Sequence, residues 1–472
     1  FRLRALSNVD GEATWAAIAE LTPHCEGVKF VGEPWALASG DLRLPKVIGS
    51  HMVLQRDVPP VIWGWAEKGE GVTVALDGNN RAETKADDKG AWKVTLKAVK
   101  ADGKAHKLVV TGKAGEGSKI ELEDILIGDV WIGSGQSNME LPVGSAETAG
   151  QAIKEANHPK IRLFHVPKVQ NGAPAGDVNA TWRVCSPQTI PAFSAVLYYF
   201  GRRLHKDLDV PMGLINSSWG GSAIEPWTIA GGKSGGMYNG MIAPLVPFAI
   251  RGAIWYQGEA NAIYGNGFAY FDKTKALIEG WREAWGTDFP FYFVQIAPCS
   301  GWYGPGQLPA LWEAQVASLK IPKTGMAVTT DIVHDIGDVH PRNKRDVGKR
   351  LALWALAKTY GKKDLVYSGP LYESMKVEGN KVRLFFAHTG GGLKSRDGKP
   401  LSEFQIAGAD DKFVPATATI DGKTVVVESD KVASPTQARF GWHKTANPNL
   451  VNKEGLPASP FRTNGWRGGT GE

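Results

Sequence analysis

Two kinds of apolar pattern alternate along the chain, and the places where one gives way to the other divide it. Between residues 42 and 122 the runs "PPVIWGWA", "GVTVALDG", "AWKVTLKAV" and "HKLVVTG" are short and rich in β-branched and aromatic residues. They are separated by "EKGEG", "DDKG" and "KADGK". Short strand-like runs broken by such turns predict a small β-sandwich module. From 123 to 360 continuous apolar runs ("DILIGDVWI", "IRLFHV", "VPMGLINSS", "IRGAIWY", "FPFYFVQIAP") take turns with stretches of helical period. The latter are "AETAGQAIKEA", "FSAVLYYFGRRLHKDL", "FDKTKALIEGWREAWG" and "DVGKRLALWALAKTYG". That alternation predicts an α/β domain with a parallel sheet covered by helices on both faces. Residues 361–472 return to β patterning in "KVRLFFAH", "EFQIAG" and "TVVVES", followed by a Pro/Gly-rich tail. Residues 1–41 match neither pattern and stay unassigned, although "EATWAAIAEL" reads as a short helix.

The length of 472 residues fits this multi-domain reading. A net charge of +6, with no basic run longer than "RNKR" at 342–345, argues against a nucleic-acid partner. No apolar run is long enough for a membrane span. The chain begins at Phe1, and a removed signal peptide with a secreted or periplasmic location is the expectation. Cys25, Cys185 and Cys299 have no metal-ligand spacing and leave one disulfide or none. Seventeen tryptophans lean toward carbohydrate, because an indole is a flat platform for a sugar ring.

In a parallel sheet functional groups collect beyond the carboxyl ends of the strands. Three apolar runs end in small or amide-bearing residues there: "GSGQSNM" with Ser137, "NSSWGGS" with Gly220 and Gly221, and "WYQGEAN" with Gln257, Glu259 and Asn261. The later segment "TTDIVHDIGDVHPRNK" adds Asp331, His334, Asp335, Asp338 and His340. Acyl transfer needs a nucleophile, a base, a carboxylate to orient the base, and neutral donors for the oxyanion. Each residue also has an ordinary reading as a turn serine, a tight-turn glycine or a solvated loop carboxylate. Met139 stands where a G-x-S-x-G elbow would have its second glycine. Two other classes stay open. The Asp331, His334, Asp335, Asp338 and His340 cluster is compatible with a metal-dependent hydrolase, and the β modules with a non-catalytic carbohydrate-binding protein.

Five stretches in order, "GDVWIGSGQSNMELPV", "GLINSSWGGSAIEPW", "YNGMIAPLVPFAIRGAIWYQGEAN", "DVHPRNKRDVGKRLALWAL" and "NKEGLPASPFRT", resemble the sialate O-acetylesterase-like branch of the SGNH hydrolases. The resemblance runs from residue 44 to about 466. It implies an SGNH-type three-layer α/β sandwich flanked by β-sandwich or jelly-roll-like modules. It also implies a serine esterase that removes O-acetyl groups from sugars, with no cofactor and no metal. By the same resemblance Ser137 is the nucleophile, His340 the base and Asp338 the orienting carboxylate, with Asp335 in reserve. The backbone of Ser137, the backbone of Gly221 and the amide of Gln257 form the oxyanion hole, and Glu259 is a structural neighbour. The partner is an acetylated oligosaccharide or polysaccharide. Xylan or xyloglucan fragments are the first expectation and O-acetyl sialate the alternative. Two departures touch the substrate cleft: the segment between "EPW" and "MYNG" is short, and the first 40 or so residues have no counterpart.

Overall fold

A single long strand, β1 (Lys119–Gly135), organises the protein. The computed structural model describes residues 41–112 and 118–465, so the short helix expected near the N-terminus and Cys25 lie outside the described residues. The first six residues of β1 alternate between exposed and half-buried, and they pair antiparallel with His106–Thr111 of the N-terminal β module. The remaining residues of the strand, from Ile125 on, are all buried and form the centre of a parallel sheet. One strand therefore crosses residue 122 without interruption, and the apolar core is continuous across that point.

The other strands of this sheet are β2 (His158–His165), β3 (Trp182–Cys185), β4 (Met212–Ser218), β5 (Gly252–Tyr256), β6 (Phe291–Val294) and β7 (Thr324–Ala327). Their spatial order is β7-β6-β5-β1-β4-β2-β3, parallel throughout except for β3 at the edge. The helices are α1 (Ser137–Glu140), α2 (Ala149–Lys154), α3 (Ala195–Leu208), α4 (Glu259–Tyr264), α5 (Tyr270–Trp285), α6 (Gln307–Ala317) and α7 (Lys344–Trp354).

Side-chain alternation along β1 and β5 assigns the two faces. Gly133 presses on Leu197 of α3, and Gly348 lets α7 cross α3 so closely that a Cβ there would meet Val196 O at 2.7 Å. On the opposite face Trp255 of β5 meets Trp281 of α5 and Trp227 edge-to-face, each at 6.2 Å between ring centroids. The result is the expected α/β architecture: a central sheet of parallel strands with helices on both sides and small antiparallel sheets attached. In the C-terminal part Leu371–Glu378, Lys381–Ala387, Thr424–Glu428 and Thr417–Asp421 form one such sheet, and this region has its own apolar cluster.

Three features depart from the sequence reading. Helix α6 carries no polar stripe because Leu308, Leu311, Trp312, Ala314 and Gln315 are all buried, so it left no amphipathic signal. Asn80–Lys85 is a strand with no buried residue, held by its antiparallel partner rather than by apolar content. The tryptophans are mostly core. Trp63, Trp65, Trp131, Trp227, Trp255, Trp281 and Trp312 are all less than 2% exposed. At roughly 25 cal/mol per Å² and roughly 200 Å² each, such rings contribute on the order of 5 kcal/mol apiece as an upper bound. Among the described residues the exposed tryptophan is Trp302, with Trp219, Trp285 and Trp442 half-buried. Cys185 and Cys299 are free and buried.

Candidate active site

The register of the sheet brings three loops together. Gly135, the last residue of β1, lies opposite Ser218 of β4 and Tyr256 of β5. Gln136, Trp219 and Gln257 therefore leave the sheet side by side. Gln136 N–H donates to Tyr256 O at 3.0 Å, and Trp219 N–H donates to Gly135 O at 3.0 Å. Gly135 has φ +133°, and a Cβ on it would stand 2.2 Å from Tyr256 O, so only glycine fits this turn. Immediately afterwards Ser137 opens the single-turn helix α1 and is partly exposed.

Ser137 Oγ lies 2.8 Å from His340 Nε2. His340 comes from the loop between β7 and α7, whose far end is fixed where the Asn343 side chain caps α7 by accepting from Asp346 N–H. Burial and the nearby Lys344 cation push the His340 imidazole below its ordinary range, while Asp338 pulls the other way. A neutral imidazole against a serine hydroxyl is the arrangement general-base catalysis uses. Asp338 Oδ1 accepts the backbone N–H of His340 at 2.8 Å and lies 3.7 Å from His340 Nδ1. That separation is within ion-pair reach but longer than a hydrogen bond. Asp335 Oδ1 accepts from Gly337 N–H, and the residue is exposed. A cavity of about 550 Å³ opens over the pair, lined by Ser137, Glu140, Gly144, Asp338, His340 and Arg342 among others.

The residues expected to hold the oxyanion are placed in two ways. Gly221 has φ +78° and is exposed, and the neighbouring Gly220 packs against Ser137, a Cβ on it lying 3.4 Å from Ser137 Cβ. Gly220 N–H is taken by Glu140 Oε2 at 2.5 Å. The N–H groups of Ser137 and Gly221 have no acceptor among the described residues. Gln257 differs. Its side chain is fully buried, and Nε2 faces Asn261 Oδ1 at 2.7 Å, Gln136 Oε1 at 3.1 Å and Ser222 O at 3.2 Å. Its Oε1 accepts from Tyr270 Oη at 2.6 Å. In this conformation the amide is turned to protein acceptors and away from the cavity.

The Gly-Gln-Ser-Asn turn does more than display a serine. Gln136 Oε1 accepts from Ala260 N–H at 3.2 Å and so satisfies the first turn of α4. Asn138 is buried and bonded to Glu259 and Lys344. Neither Asn138 nor Lys344 stood out in the sequence, since a lysine in a basic run reads as surface. Glu140 and Arg342 were also missed. Asp331 and His334 do not join Asp338 and His340: Asp331 is held bidentate by Arg350 at 2.7 and 2.6 Å, and exposed His334 faces Glu147. Among the described residues no group of three or more His, Cys, Asp or Glu is placed to hold a metal ion.

A family profile described as "Carbohydrate esterase, sialic acid-specific acetylesterase" matches residues 127–357. The sialate O-acetylesterase of Homo sapiens is 30% identical over 90% of this chain and 94% of its own length. That of Rattus norvegicus is 29% identical over 85% of this chain and 89% of its own. A crystal structure described as a novel carbohydrate acetylesterase from Xanthomonas citri superposes with a TM-score of 0.85 at 41% identity, covering 90% of this chain and all of that one. The chain belongs to the sialic acid-specific acetylesterase family of carbohydrate esterases, and is a carboxylic ester hydrolase that removes O-acetyl groups from carbohydrate.

Proposed function

We propose that the protein is a serine esterase that deacetylates O-acetylated sialic acids through an acetyl-enzyme on Ser137. The 2.8 Å contact between Ser137 Oγ and His340 Nε2 at the floor of an open cavity carries the mechanistic part. His340 takes the hydroxyl proton as Oγ bonds to the acetyl carbonyl carbon. The oxyanion is held by the N–H groups of Ser137 and Gly221. Collapse of the tetrahedral adduct breaks the bond to the sugar oxygen, which leaves with the proton from His340. Water, deprotonated by His340, then attacks the acetyl-serine; the bond to Oγ breaks as His340 returns the proton to Ser137, and acetate leaves. Asp338 favours the imidazolium electrostatically and fixes the loop through the His340 backbone. Gln257 acts by holding Gln136, Ser222 and Asn261 in place.

The substrate part rests on the mammalian relatives, which are named for sialate, and on Arg342. This exposed arginine lines the cavity, and its guanidinium makes no ion pair with a described residue. A sialic acid carries a carboxylate that such a group can bind, which a neutral xylose or glucose unit lacks. The tryptophan count that leaned toward carbohydrate belongs largely to the core. A secreted or periplasmic location is part of this proposal, because glycan substrates are met there.

The test is acetate release from O-acetyl sialate beside acetylated xylo- and xyloglucan oligosaccharides. Arg342→Ala is expected to lower kcat/KM on O-acetyl sialate by roughly 10- to 100-fold, the worth of one charged hydrogen bond. The neutral substrates are expected to lose less than about threefold. Equal loss on both, or preference of the wild type for the neutral sugars, rejects sialate as the substrate.

A further inference from the structure

Behind the catalytic pair lie three polar side chains that acyl transfer itself does not use. Lys344 is fully buried, and Asn138 and Glu259 are 1% and 2% exposed. Lys344 opens α7, where the positive end of the helix and the loss of solvent both oppose a cation. A lysine held there against both effects needs compensation, and its partners supply part of it. Nζ donates to Asn138 Oδ1 and lies 5.1 Å from the centre of the Tyr256 ring. One hydrogen of Asn138 Nδ2 goes to Glu259 Oε1 at 2.6 Å and the other to Val339 O at 3.0 Å. The amide therefore sits between an ammonium and a carboxylate, an alignment in which each bond polarises the next.

What this network joins gives it its meaning. Asn138 directly follows Ser137, Val339 directly precedes His340, and Glu259 starts the helix after β5. We propose that Lys344, Asn138 and Glu259 are positioning residues, a buried strap that holds the nucleophile turn against the histidine loop. The inference rests on the Ser137–His340 reading above. An error of about 1 Å in such a pair costs on the order of 100-fold in rate, so the contact at 2.8 Å needs a rigid support.

The charges around the strap give it a signature that packing alone lacks. Lys344 and Asp338 are the charged groups that act on His340. Burial pushes Lys344 down to about 7, with Glu259 and Asp338 opposing. Glu259 is pushed up by burial, and the phenols of Tyr256, Tyr270 and Tyr303 near it are kept neutral by burial. In the acid range where His340 titrates, Lys344 is thus a cation that disfavours the imidazolium.

The experiment compares wild type, Lys344→Met, Asn138→Ala and Ser137→Ala on an O-acetylated sugar and on p-nitrophenyl acetate, from roughly pH 4 to 9. Lys344→Met is expected to lower kcat by roughly 10- to 100-fold with KM within about threefold, and to move the acid limb of kcat/KM to higher pH. Asn138→Ala is expected to show the same split between kcat and KM, and it carries the test if the lysine variant does not fold. A folded Lys344→Met with wild-type kcat and an unmoved acid limb overturns the strap, as does a folded Asn138→Ala with wild-type kcat. Full activity in Ser137→Ala overturns the underlying reading instead, whatever the strap variants do.

Discussion

Replacing Gln257 by alanine separates two roles that its place beside the Ser137 turn would otherwise confuse. The amide makes two short buried hydrogen bonds, to Asn261 Oδ1 at 2.7 Å and from Tyr270 Oη at 2.6 Å, and two longer ones. Most of the groups left behind keep a second partner. Ile224 N–H still donates to Asn261 Oδ1, Ala260 N–H to Gln136 Oε1, and Tyr270 Oη still has Gln257 O. The cost is therefore about 1 kcal/mol for each short bond plus a term for the small cavity, in all about 2 to 4 kcal/mol. Guanidinium unfolding followed by tryptophan fluorescence measures this, since the core is dense in indoles. Turnover is expected to fall by less than about 50-fold, through loss of alignment alone. An oxyanion donor behaves oppositely, costing roughly 100- to 1,000-fold in kcat. A variant as stable as wild type with that loss in kcat and unchanged KM would refute the positioning role and return Gln257 to the oxyanion hole.

The remaining predictions concern the Ser137 turn and the His340 loop. As the proposed base His340 must be neutral, and burial with Lys344 disfavours its cation, so the acid limb of kcat/KM is expected at a midpoint below the ordinary 6.5; a midpoint above about 7 contradicts this. Asp338→Asn is expected to lower kcat by roughly 10- to 100-fold, less than for a buried, directly bonded triad carboxylate, because its carboxylate stands 3.7 Å from Nδ1 and is 38% exposed. Gly135→Ala places a Cβ 2.2 Å from Tyr256 O at φ +133°. It is expected to destabilise the fold by at least about 2 kcal/mol and to remove activity, and a stable, active variant would show that the turn yields more than its packing implies.

The parallel sheet and helices α3, α5 and α7 were legible because each writes a local signal, a continuous apolar run or an amphipathic stripe. Helix α6 was not, since its surface is buried nearly all round, as Leu308, Leu311, Trp312 and Gln315 illustrate. Within β1 the change from "KIELED" to "ILIGDVWIGSG" reads as a border between modules, yet the backbone pairing continues through it. Ser137 and His340 were nameable from motif and resemblance, and the structure sets them at hydrogen-bond distance. The strap was not legible, because sequence cannot say that Lys344, four residues after His340, turns inward beneath Asn138. Nor does it say which way an amide points: Gln257 lies at the expected strand end, and only the surrounding acceptors reveal that it faces the protein.

The most direct test of the account is acetate release from an O-acetylated sugar by wild type and by Ser137→Ala of matched fold, verified by circular dichroism and unfolding midpoint. Acyl transfer through Ser137 predicts a loss of at least about 1,000-fold in kcat/KM for the variant. A folded Ser137→Ala enzyme within about tenfold of wild type would contradict it.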